Sequence, residues 1–570
     1  MFEDDLIRKY ALKNAFDYNG KASASAVISK VLQEHPELKP IIKELMNTAK
    51  TIIDEVNRLS KDKQIQELQK SAPELMIKQK KEENKELPEL PNVKGKVIMR
   101  MAPNPNAPPH LGNARMIILN DYYIKRYKGK LILKFDDTDP KNEAKRPRKE
   151  MYKMFENDLN WLGVEYHYKF CASERLERYY EIFEKLLSLE KAYICTCDSE
   201  EWKKMKAEGI PCKCRDLKKT EQEKRWKNML SGKYKQGTAV ARIKTDIKYK
   251  DPAERDFAAF RVIEKPEHPL VGNKFLVWPM MDMGNAVDDH DNEVTHILRG
   301  MELVISEKRQ KWIYKYLGWT YPNSMTFGKL SIEGSGTMSK SKMVKGVLSG
   351  EFTGWDDVRF ASLLSLRRRG FLPEAVREFI LSCRMTGNDS KVSFSKLESI
   401  NRKILDEKAD RYYFVEEPRE LIVEKIEKEI EKKIFRHPTF HDRGVRIFNI
   451  SKGTEKFYIS NSDFSSLERG ELITLKDLFN IDISEINEKA YSEYSKNQKI
   501  TKETKKIQFV KKEDYVNADI LMPDNSTKKG FCEPEILNLE IGKVIQFERF
   551  GFCRLEKKSK KSCSLVYVHS

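Results

Sequence analysis

The spacing of apolar residues divides the chain into a helical start, a mixed α/β middle and a β-rich end. Near the N-terminus, apolar side chains recur at intervals of three and four residues: Ile42, Leu45, Ala49, Ile52, Val56 and Leu59. This spacing places them on one face of an α-helix. The pattern breaks between Ser71 and Lys94, where three prolines and the run KQKKEENKE predict a linker.

The pattern then becomes that of a parallel sheet. KVIMRM (96–101) and KLILKF (130–135) are short apolar runs typical of buried strands, and the stretch from about Pro109 to Tyr127 predicts a helix between them. Strand, helix and strand in this order form a βαβ unit. Ligands of such sheets bind where strands end and helices begin. The segments APNPNAPPHLGN and DDTD therefore lie at a predicted binding crevice.

The pattern changes again further along the chain. A Lys-rich region with paired cysteines interrupts the α/β alternation, which resumes near residues 273–300. Residues 350–410 are predicted to be mainly helical. From about Arg411 onward, short alternating runs are separated by turn residues, as in β-barrels.

Size and charge narrow the class of protein. At 570 residues, the chain is long enough for about three to five domains. The net charge of +18 favours a polyanionic partner such as nucleic acid, although lysine-rich helices that only raise solubility are an equal alternative. No apolar stretch approaches the roughly 20 residues of a membrane span. The start, MFEDDLIRKY, lacks the features of a secretory signal, so we expect a cytoplasmic protein without membrane partners.

Four cysteines have the spacing of a metal site. They form one C-x-C pair, then fourteen residues, then a second C-x-C pair: Cys195, Cys197, Cys212 and Cys214. Two close pairs can together hold one structural Zn²⁺ with tetrahedral geometry. The alternative is a set of four reduced, buried cysteines.

Two short segments carry candidate phosphate chemistry, although the chain has no P-loop and no G-x-G-x-x-G fingerprint. His110 and Asn113 lie one turn apart at a predicted helix start, where free N–H groups attract anions. In GSGTMSKSK (334–342), Lys340 and Lys342 are donors on a Gly/Ser loop. Each segment alone is more typical of a structural histidine or of a solvated loop.

Taken in order, the motifs R-x-A-P-N-P, H-L-G-N, DDTD, the cysteine insertion, VDDH…THILRG and MSKSK resemble those of class I aminoacyl-tRNA synthetases. PPHLGNAR resembles the HIGH motif of that family and TMSKS resembles its KMSKS motif. The match is closest to the archaeal-type glutamyl branch of the glutamyl/glutaminyl subgroup. Four features depart from it: Asn113 replaces the second HIGH histidine, Thr337 replaces the first KMSKS lysine, Met281 stands where a tyrosine is common, and NAPP replaces the more usual Ser-Gly-Pro-Leu before His110.

The resemblance implies a multidomain α/β and β fold. The implied parts are a helical N-terminal domain with its linker, the two halves of a Rossmann-type parallel-sheet catalytic domain, a zinc-bearing insertion that binds the tRNA acceptor end, a helical connecting domain and anticodon-binding β-barrels. The boundaries follow in chain order: 1–94 for the helical domain and linker, 95–190 and 273–345 for the two catalytic halves, 191–272 for the insertion, 346–410 for the connecting domain and 411–570 for the barrels.

The resemblance also implies an activity. The chain would attach L-glutamate to tRNA(Glu) through glutamyl-adenylate, releasing AMP and diphosphate, with ATP as substrate and Mg²⁺ bridging its phosphates. It would act as a monomer, and charging of tRNA(Gln) stays open. The alternatives are a glutaminyl-tRNA synthetase, a short paralogue that modifies a tRNA base, and a catalytically silent, zinc-containing RNA-binding protein.

The implied site residues fall into three groups besides the zinc ligands. The catalytic group is His110, Asn113 and Lys340. The ATP-binding group is Pro103, Asn104, Pro105, His110, Gly112, Asn113, Met338, Ser339, Lys340 and Ser341. The glutamate-binding group is Arg100, Asp136, Asn285 and Arg299.

Glutamate needs two cations and one carboxylate, which the two arginines and Asp136 of that group can supply. By the resemblance, Arg299 separates glutamate from glutamine. The sequence leaves open which arginine takes which carboxylate.

Overall fold

The computed structural model describes residues 2–18, 20–76, 87–501 and 504–570, in two compact units, 1–86 and 87–570. In that part of the chain, every helix is too short or too polar to cross a bilayer.

The N-terminal unit is helical, as predicted. Its elements are α1 (Phe2–Asp17), α2 (Ala24–Glu34), a 3₁₀ segment (Pro36–Ile41), α3 (Ile42–Arg58), α4 (Lys61–Ser71) and α5 (Pro73–Met76). The apolar stripe of α3 is buried at Leu45, Ala49, Ile53 and Val56. Ile53 is thus the buried residue in place of the predicted Ile52, and Ile42 is exposed at the first turn.

The predicted linker differs from the structure at its start. Ser71 is the last residue of α4, and Pro73 begins the short helix α5, because proline is favourable in the first turn of a helix. Residues 77–86 of the predicted linker lie outside the described residues. Residues 87–94 contain no regular element.

The larger unit begins with the α/β part of the chain. Its strands up to residue 410 are β1 (Ile98–Met101), β2 (Lys130–Phe135), β3 (Tyr168–Cys171), β4 (Ala192–Cys195), β5 (Val240–Ile243), β6 (Phe257–Val262), β7 (Val277–Pro279), β8 (His296–Gly300), β9 (Asn323–Phe327), β10 (Leu330–Glu333) and β11 (Ser390–Ser393). Its helices are α6 (Leu111–Tyr127), α7 (Lys149–Trp161), α8 (Leu176–Ser188), α9 (Ser199–Glu208), α10 (Lys219–Leu230), α11 (Met281–Asp291), α12 (Val304–Leu317), α13 (Lys340–Ser349), α14 (Leu363–Arg369), α15 (Pro373–Ser382) and α16 (Phe394–Lys408), with 3₁₀ segments at Ala172–Arg175 and Met301–Leu303.

The predicted βαβ unit is confirmed. Strands β1, β2 and β3 pair in parallel in that order, with Ile98 opposite Lys130, and α6 connects the first two. Strand β8 pairs in parallel with β9. Just before β8, Thr295 donates its N–H to the carbonyl of Ile98 at 2.9 Å, which places β8 beside β1. The carboxyl ends of β1, β2 and β8 therefore meet at one edge.

The insertion is a four-stranded antiparallel sheet in the order β4–β5–β6–β7, packed on α8 and α10 through Phe183, Trp226 and Phe260. It ends later than the sequence indicates. Strand β7 lies beyond residue 272, but it pairs with β6, with Phe260 opposite Pro279. The parallel sheet resumes only at β8.

The β-rich end folds as two curled sheets. Its elements are β12 (Arg411–Tyr412), β13 (Phe414–Glu416), β14 (Arg419–Ile426), β15 (Ile430–Phe435), β16 (Val445–Ile450), β17 (Gly453–Ile459), α17 (Asn461–Phe464), β18 (Leu472–Leu475), β19 (Phe479–Ile486), β20 (Ala490–Tyr494), β21 (Lys505–Ile507), β22 (Val510–Lys511), β23 (Val516–Leu521), β24 (Thr527–Cys532), β25 (Val544–Phe547), β26 (Gly551–Lys558) and β27 (Ser562–His569), with 3₁₀ segments at His441–Arg443 and Pro534–Asn538.

Both large sheets have seven strands, and each has its own apolar core. The edge strands of one are β12 and β13, which Tyr413 alone separates in the chain. The edge strands of the other are β21 and β22, separated by two residues. Because the two edge strands of each sheet are neighbours in the chain, each sheet curls into a half-barrel; the alternating pattern predicts closed barrels.

Candidate active site

A cavity of about 290 Å³ opens at the carboxyl ends of β1, β2 and β8. It collects residues that the sequence analysis took from five separate segments. Those that line it are Arg100, Pro103, Asn104, Gly112, Asn113, Asp136, Asn285, Arg299 and Lys340. Five of the ten predicted ATP-binding residues and all four predicted glutamate-binding residues thus share one cavity.

His110 caps the helix that starts at this cavity. Its Nδ1 accepts the N–H of Asn113 at 3.2 Å, and the Asn113 side-chain oxygen accepts the N–H of His110 at 3.3 Å. Burial, together with the nearby Lys340, lowers the pKa of His110 to about 4. The ring is therefore neutral near pH 7, and because Nδ1 accepts, its proton lies on Nε2, where it can be donated.

The first turn of α6 leaves one backbone donor free. Leu111 donates its N–H to the carbonyl of Ala361, and the Asn113 N–H is taken by His110, but the Gly112 N–H donates to no described residue. A Cβ at Gly112 would lie 3.0 Å from two atoms of the His110 ring. Glycine thus lets the ring lie against the helix start beside a free N–H group, an arrangement suited to an anion.

Lys340 begins α13 and adds a cation to the cavity. Its ammonium donates to the carbonyl of Asn104 and to Oδ1 of Asn106, both at 3.3 Å. Burial lowers the pKa of Lys340 to about 8. Among the described residues, its hydrogen bonds go to neutral oxygens, so its charge is available to a ligand.

The other predicted ATP-binding residues do not line the cavity. Ser339 is the exposed N-cap of α13, where its hydroxyl accepts the N–H of Lys342, and Ser341 is exposed on the same helix. Met338 packs against the apolar core. Pro105 is buried, and its carbonyl accepts the N–H of Arg148 at 2.9 Å.

Arg100, at the end of β1, is held by a carboxylate that the sequence analysis did not anticipate. Its Nε and Nη2 donate to the two oxygens of Asp289 at 2.9 and 3.1 Å, and both residues are buried. Burial alone would lower the pKa of Arg100, but pairing with Asp289 raises it. The Arg100 charge is thus compensated, while its Nη1 makes no hydrogen bond to a described residue.

A buried lysine orients Asn285. The ammonium of Lys134 lies 2.5 Å from Oδ1 of Asn285 and 2.6 Å from Asp288. Because that oxygen accepts from a cation, the NH₂ group of Asn285 remains a donor for the cavity that it lines. Neither Lys134 nor Asp288 was predicted, although a lysine inside the apolar strand KLILKF signals a buried partner.

Asp136 and Glu302 both bring a carboxyl group to the cavity. Asp136 directly follows β2 and accepts a hydrogen bond from the hydroxyl of Thr138 at 3.2 Å. Burial raises its pKa above the ordinary value. A ligand ammonium placed beside it would favour the ionised form.

Arg299, at the end of β8, is buried with mainly neutral partners. Its Nη2 donates to the hydroxyl of Tyr321 at 2.7 Å and to Oε1 of Gln310 at 3.3 Å. Among the described residues, the carboxylate within 4.0 Å is that of Glu307, which lies 3.9 Å from Nε and itself accepts from Lys311 at 2.7 Å. Met281 lines the same cavity.

The four cysteines of the insertion come together. The Cys195 and Cys212 sulfurs are 3.9 Å apart, and those of Cys197 and Cys214 are 3.7 Å apart. Ligand atoms of Cys195, Cys197 and Cys212 all lie within 4.8 Å of one another, whereas Cys214 is close to Cys197 and is not part of this group. Sulfurs around a tetrahedral Zn²⁺, each about 2.3 Å from the ion, would be about 3.8 Å apart.

A second, strongly basic cavity of about 360 Å³ lies in the β-rich end. Its lining is Arg411, Lys432, Lys433, Ile434, Phe435, Pro438, His441, Arg446, Lys476, Asp477, Ile500 and Glu548. The rings of Phe435 and His441 stack with their centroids 4.0 Å apart, and Phe435 is 46% exposed. Exposed aromatic rings among cations are typical of sites that bind unstacked bases.

Comparison with known proteins finds matches along nearly the whole chain. The family described as "tRNA synthetases class I (E and Q), catalytic domain" matches residues 96–407. The "anti-codon binding domain" of the same group matches residues 409–501 and 490–556 in two parts.

Curated relatives match at full length. A protein of Pyrococcus furiosus named glutamate–tRNA ligase is 43% identical over 574 aligned residues, covering 99% of each chain. A protein of Methanocaldococcus jannaschii with the same name is 40% identical, covering 99% of this chain and 100% of the relative.

Proposed function

The chain belongs to the class I tRNA synthetases for glutamate and glutamine, and from this premise we propose that it attaches L-glutamate to tRNA(Glu) using ATP. The observation that carries the proposal is the shared cavity. In it, the capped start of α6 and Lys340 lie beside Arg299, Asn285 and Asp136. Phosphates and a dicarboxylic amino acid can therefore be bound next to each other.

The proposed reaction has two steps, and neither needs a protein nucleophile. An α-carboxylate oxygen of glutamate attacks the α-phosphorus of ATP, and the bond to the departing diphosphate breaks, giving glutamyl-adenylate. The 2′-hydroxyl of the terminal ribose of tRNA then attacks the glutamyl carbonyl carbon, loses its proton to solvent and displaces AMP. The protein orients the reactants and stabilises the charge that develops on the phosphates.

The phosphate side of the cavity fits that task. The Gly112 N–H, the neutral His110 and Asn113 supply donors at the positive end of α6. Lys340 supplies a cation for the departing diphosphate. Mg²⁺, when bound with ATP, would offset the negative charge of the phosphates.

The other side of the cavity fits glutamate. Asp136 would bind the ammonium group, and Asn285 would donate to a carboxylate. Because Asp289 compensates Arg100 while Arg299 has neutral hydrogen-bond partners, we assign the side-chain carboxylate to Arg299 and the reacting carboxylate to the region of Arg100. A buried cation favours a carboxylate over the amide of glutamine.

We also propose that Cys195, Cys197, Cys212 and Cys214 hold one structural Zn²⁺. The sulfur distances of 3.9 and 3.7 Å support tetrahedral binding. The ion would fix a segment that is too small to fold around an apolar core of its own. Exposed lysines beside it, such as Lys203, Lys213 and Lys219, would then be held where they can contact phosphates of the tRNA acceptor end.

The basic cavity of the barrels is our candidate for contact with the anticodon, with the chain acting as a monomer. Phe435 and His441 would stack on a base, while Arg411 and Lys432 would neutralise backbone phosphates.

The proposal is tested by incubating the purified full chain with labelled glutamate, ATP and tRNA(Glu). We expect acid-precipitable glutamyl-tRNA together with AMP and diphosphate, and none without ATP. Transfer of glutamine instead would identify a glutaminyl enzyme. Binding of tRNA without release of AMP would identify a silent RNA-binding protein. A parallel reaction with tRNA(Gln) shows whether that tRNA is also charged.

A further inference from the structure

Two residues outside the predicted site form a closed set of hydrogen bonds with Arg299. Gln310 lies on α12 and is 1% exposed, and Tyr321 follows that helix. The Tyr321 hydroxyl lies 2.7 Å from Nη2 of Arg299 and 2.7 Å from Oε1 of Gln310. The same Oε1 lies 3.3 Å from Nη2 of Arg299. The three side chains therefore contact one another at the wall of the cavity.

The direction of each hydrogen bond follows from the chemistry of the groups. A guanidinium has donors and no acceptor, so the Gln310 atom that faces it must be the amide oxygen. The Tyr321 hydroxyl must accept from Arg299, and it therefore gives its own proton to Gln310. Burial raises the pKa of Tyr321, which keeps that proton in place. All acceptors in this set are neutral.

The arrangement contrasts with that of Arg100. The guanidinium of Arg100 is fixed by a carboxylate, Asp289, at 2.9 and 3.1 Å, so its charge is largely compensated before a ligand arrives. The guanidinium of Arg299 has no such paired carboxylate: Glu307 lies 3.9 Å from its Nε, beyond hydrogen-bond distance, and that Nε has no hydrogen-bond partner among the described residues. Arg299 is thus oriented by neutral groups, and its charge is only weakly offset.

We infer that Gln310 and Tyr321 are positioning residues that set the preference for glutamate by holding Arg299 through neutral acceptors. This inference rests on the proposed function. In this role, the side chain at position 310 must be neutral. A carboxylate there would form an ion pair with Arg299 and compete with the side-chain carboxylate of glutamate.

The substitution Gln310→Glu tests this role, because the two side chains have nearly the same shape. We expect the KM for glutamate to rise roughly tenfold or more, because the new carboxylate would offset the Arg299 charge that strengthens the hydrogen bonds to glutamate. The Ki of glutamine as a competitor should change much less, so the preference for glutamate should fall. The KM for ATP should stay near the native value.

Tyr321→Phe removes one acceptor of Arg299 and has a matched control in Tyr314→Phe. The Tyr314 ring packs edge-on against Tyr321 at 4.9 Å, but its buried hydroxyl has no hydrogen-bond partner among the described residues. We expect Tyr321→Phe to raise the KM for glutamate roughly three- to tenfold with little change in kcat. Tyr314→Phe should leave the KM for glutamate and the preference unchanged.

The outcomes separate this inference from the proposed function. If the native chain does not charge tRNA with glutamate, the proposed function fails. If the native chain does, but Gln310→Glu keeps the native preference, the inference alone is overturned. It is also overturned if Gln310→Glu weakens glutamate, glutamine and ATP to the same extent, or if Tyr314→Phe matches Tyr321→Phe, since either result indicates a structural role.

Discussion

Three cationic side chains reach the cavity, and their local partners give each a different use. Arg100 is paired with Asp289, Arg299 is held by neutral oxygens, and Lys340 donates to the oxygens of Asn104 and Asn106. A compensated arginine can orient a ligand, while an uncompensated cation can select its charge. The role of each cation in ligand binding therefore depends on the protein groups that it contacts as much as on its own charge.

Lys340→Ala should lower kcat for aminoacylation by roughly 10²–10³-fold, the usual effect of losing one group that stabilises transition-state charge. The KM for glutamate should change little, because Lys340 lies on the phosphate side of the cavity. Lys342→Ala, at an exposed position on the same helix, is the matched control and should keep the native kcat. A native kcat in Lys340→Ala, with only the KM for ATP raised, would contradict the proposed role.

The pH dependence should also report Lys340. Its pKa of about 8 means that the active ammonium form is complete below this pH and is lost as the pH rises through it. kcat/KM for ATP, which reports groups of the free enzyme, should therefore fall above about pH 8. Arginine stays protonated throughout, so Lys340→Arg should shift this decline out of the range. A decline that is identical in Lys340→Arg would show that another group titrates.

At the scale of helices and strands, the local spacing of apolar residues was enough to predict where several elements lie. The spacing of three to four residues located α3, which buries one face, and the apolar runs KVIMRM and KLILKF located β1 and β2, which are buried along most of their length. The antiparallel pairing of β7 with β6 was missed, since strand partners depend on residues distant in the chain.

The candidate site shows the same division. His110, Lys340 and Arg299 were identified from motifs; Lys340 and Arg299 line one cavity, and His110 caps the helix that starts beside it. Lys134 and Gln310 were missed, because each meets its partner only through folding: Lys134 lies 151 positions from Asn285. Asp289 was missed for the same reason, 189 positions from Arg100. The spacing of residues within one segment does not show which distant side chain will contact it.

The insertion provides a prediction about one element. Purified chain should contain one Zn²⁺, and Cys212→Ser should lose it and unfold at a lower temperature, because metal binding contributes to folding. Cys383→Ser, at a half-buried cysteine that ends α15, should keep the metal. Elemental analysis of the two variants side by side checks this. Full metal content in Cys212→Ser would contradict the four-cysteine site.

At the scale of the whole molecule, the excess of positive charge suits the binding of a long polyanion. The chain has a net charge of +18, and the basic cavity of the barrels belongs to a different part of the larger unit from the catalytic cavity. Binding to a nucleic acid backbone through such cations weakens steeply with salt, because neutralised phosphates release counterions.

Lys432→Gln should therefore raise the KM for tRNA(Glu) and reduce the slope of log KM against log salt by about 1. The KM values for ATP and glutamate should be unaffected. Lys428→Gln is the matched control, since Lys428 is exposed in the turn before β15 and does not line the cavity. Equal effects of the two substitutions would indicate a general loss of charge and exclude a specific contact.

We propose that this molecule selects glutamate for tRNA through Arg299, whose hydrogen-bond partners are neutral and whose charge is only weakly offset by Glu307. The most direct measurement is the ratio of kcat/KM for glutamate over glutamine in the charging of tRNA(Glu), for the native chain and for Arg299→Cys. Breaking a buried charge pair costs about 3–5 kcal/mol, so we predict a large native ratio that falls by roughly 10²-fold or more in the variant. A native ratio near one, or an Arg299→Cys variant that loses both substrates equally, would contradict the account.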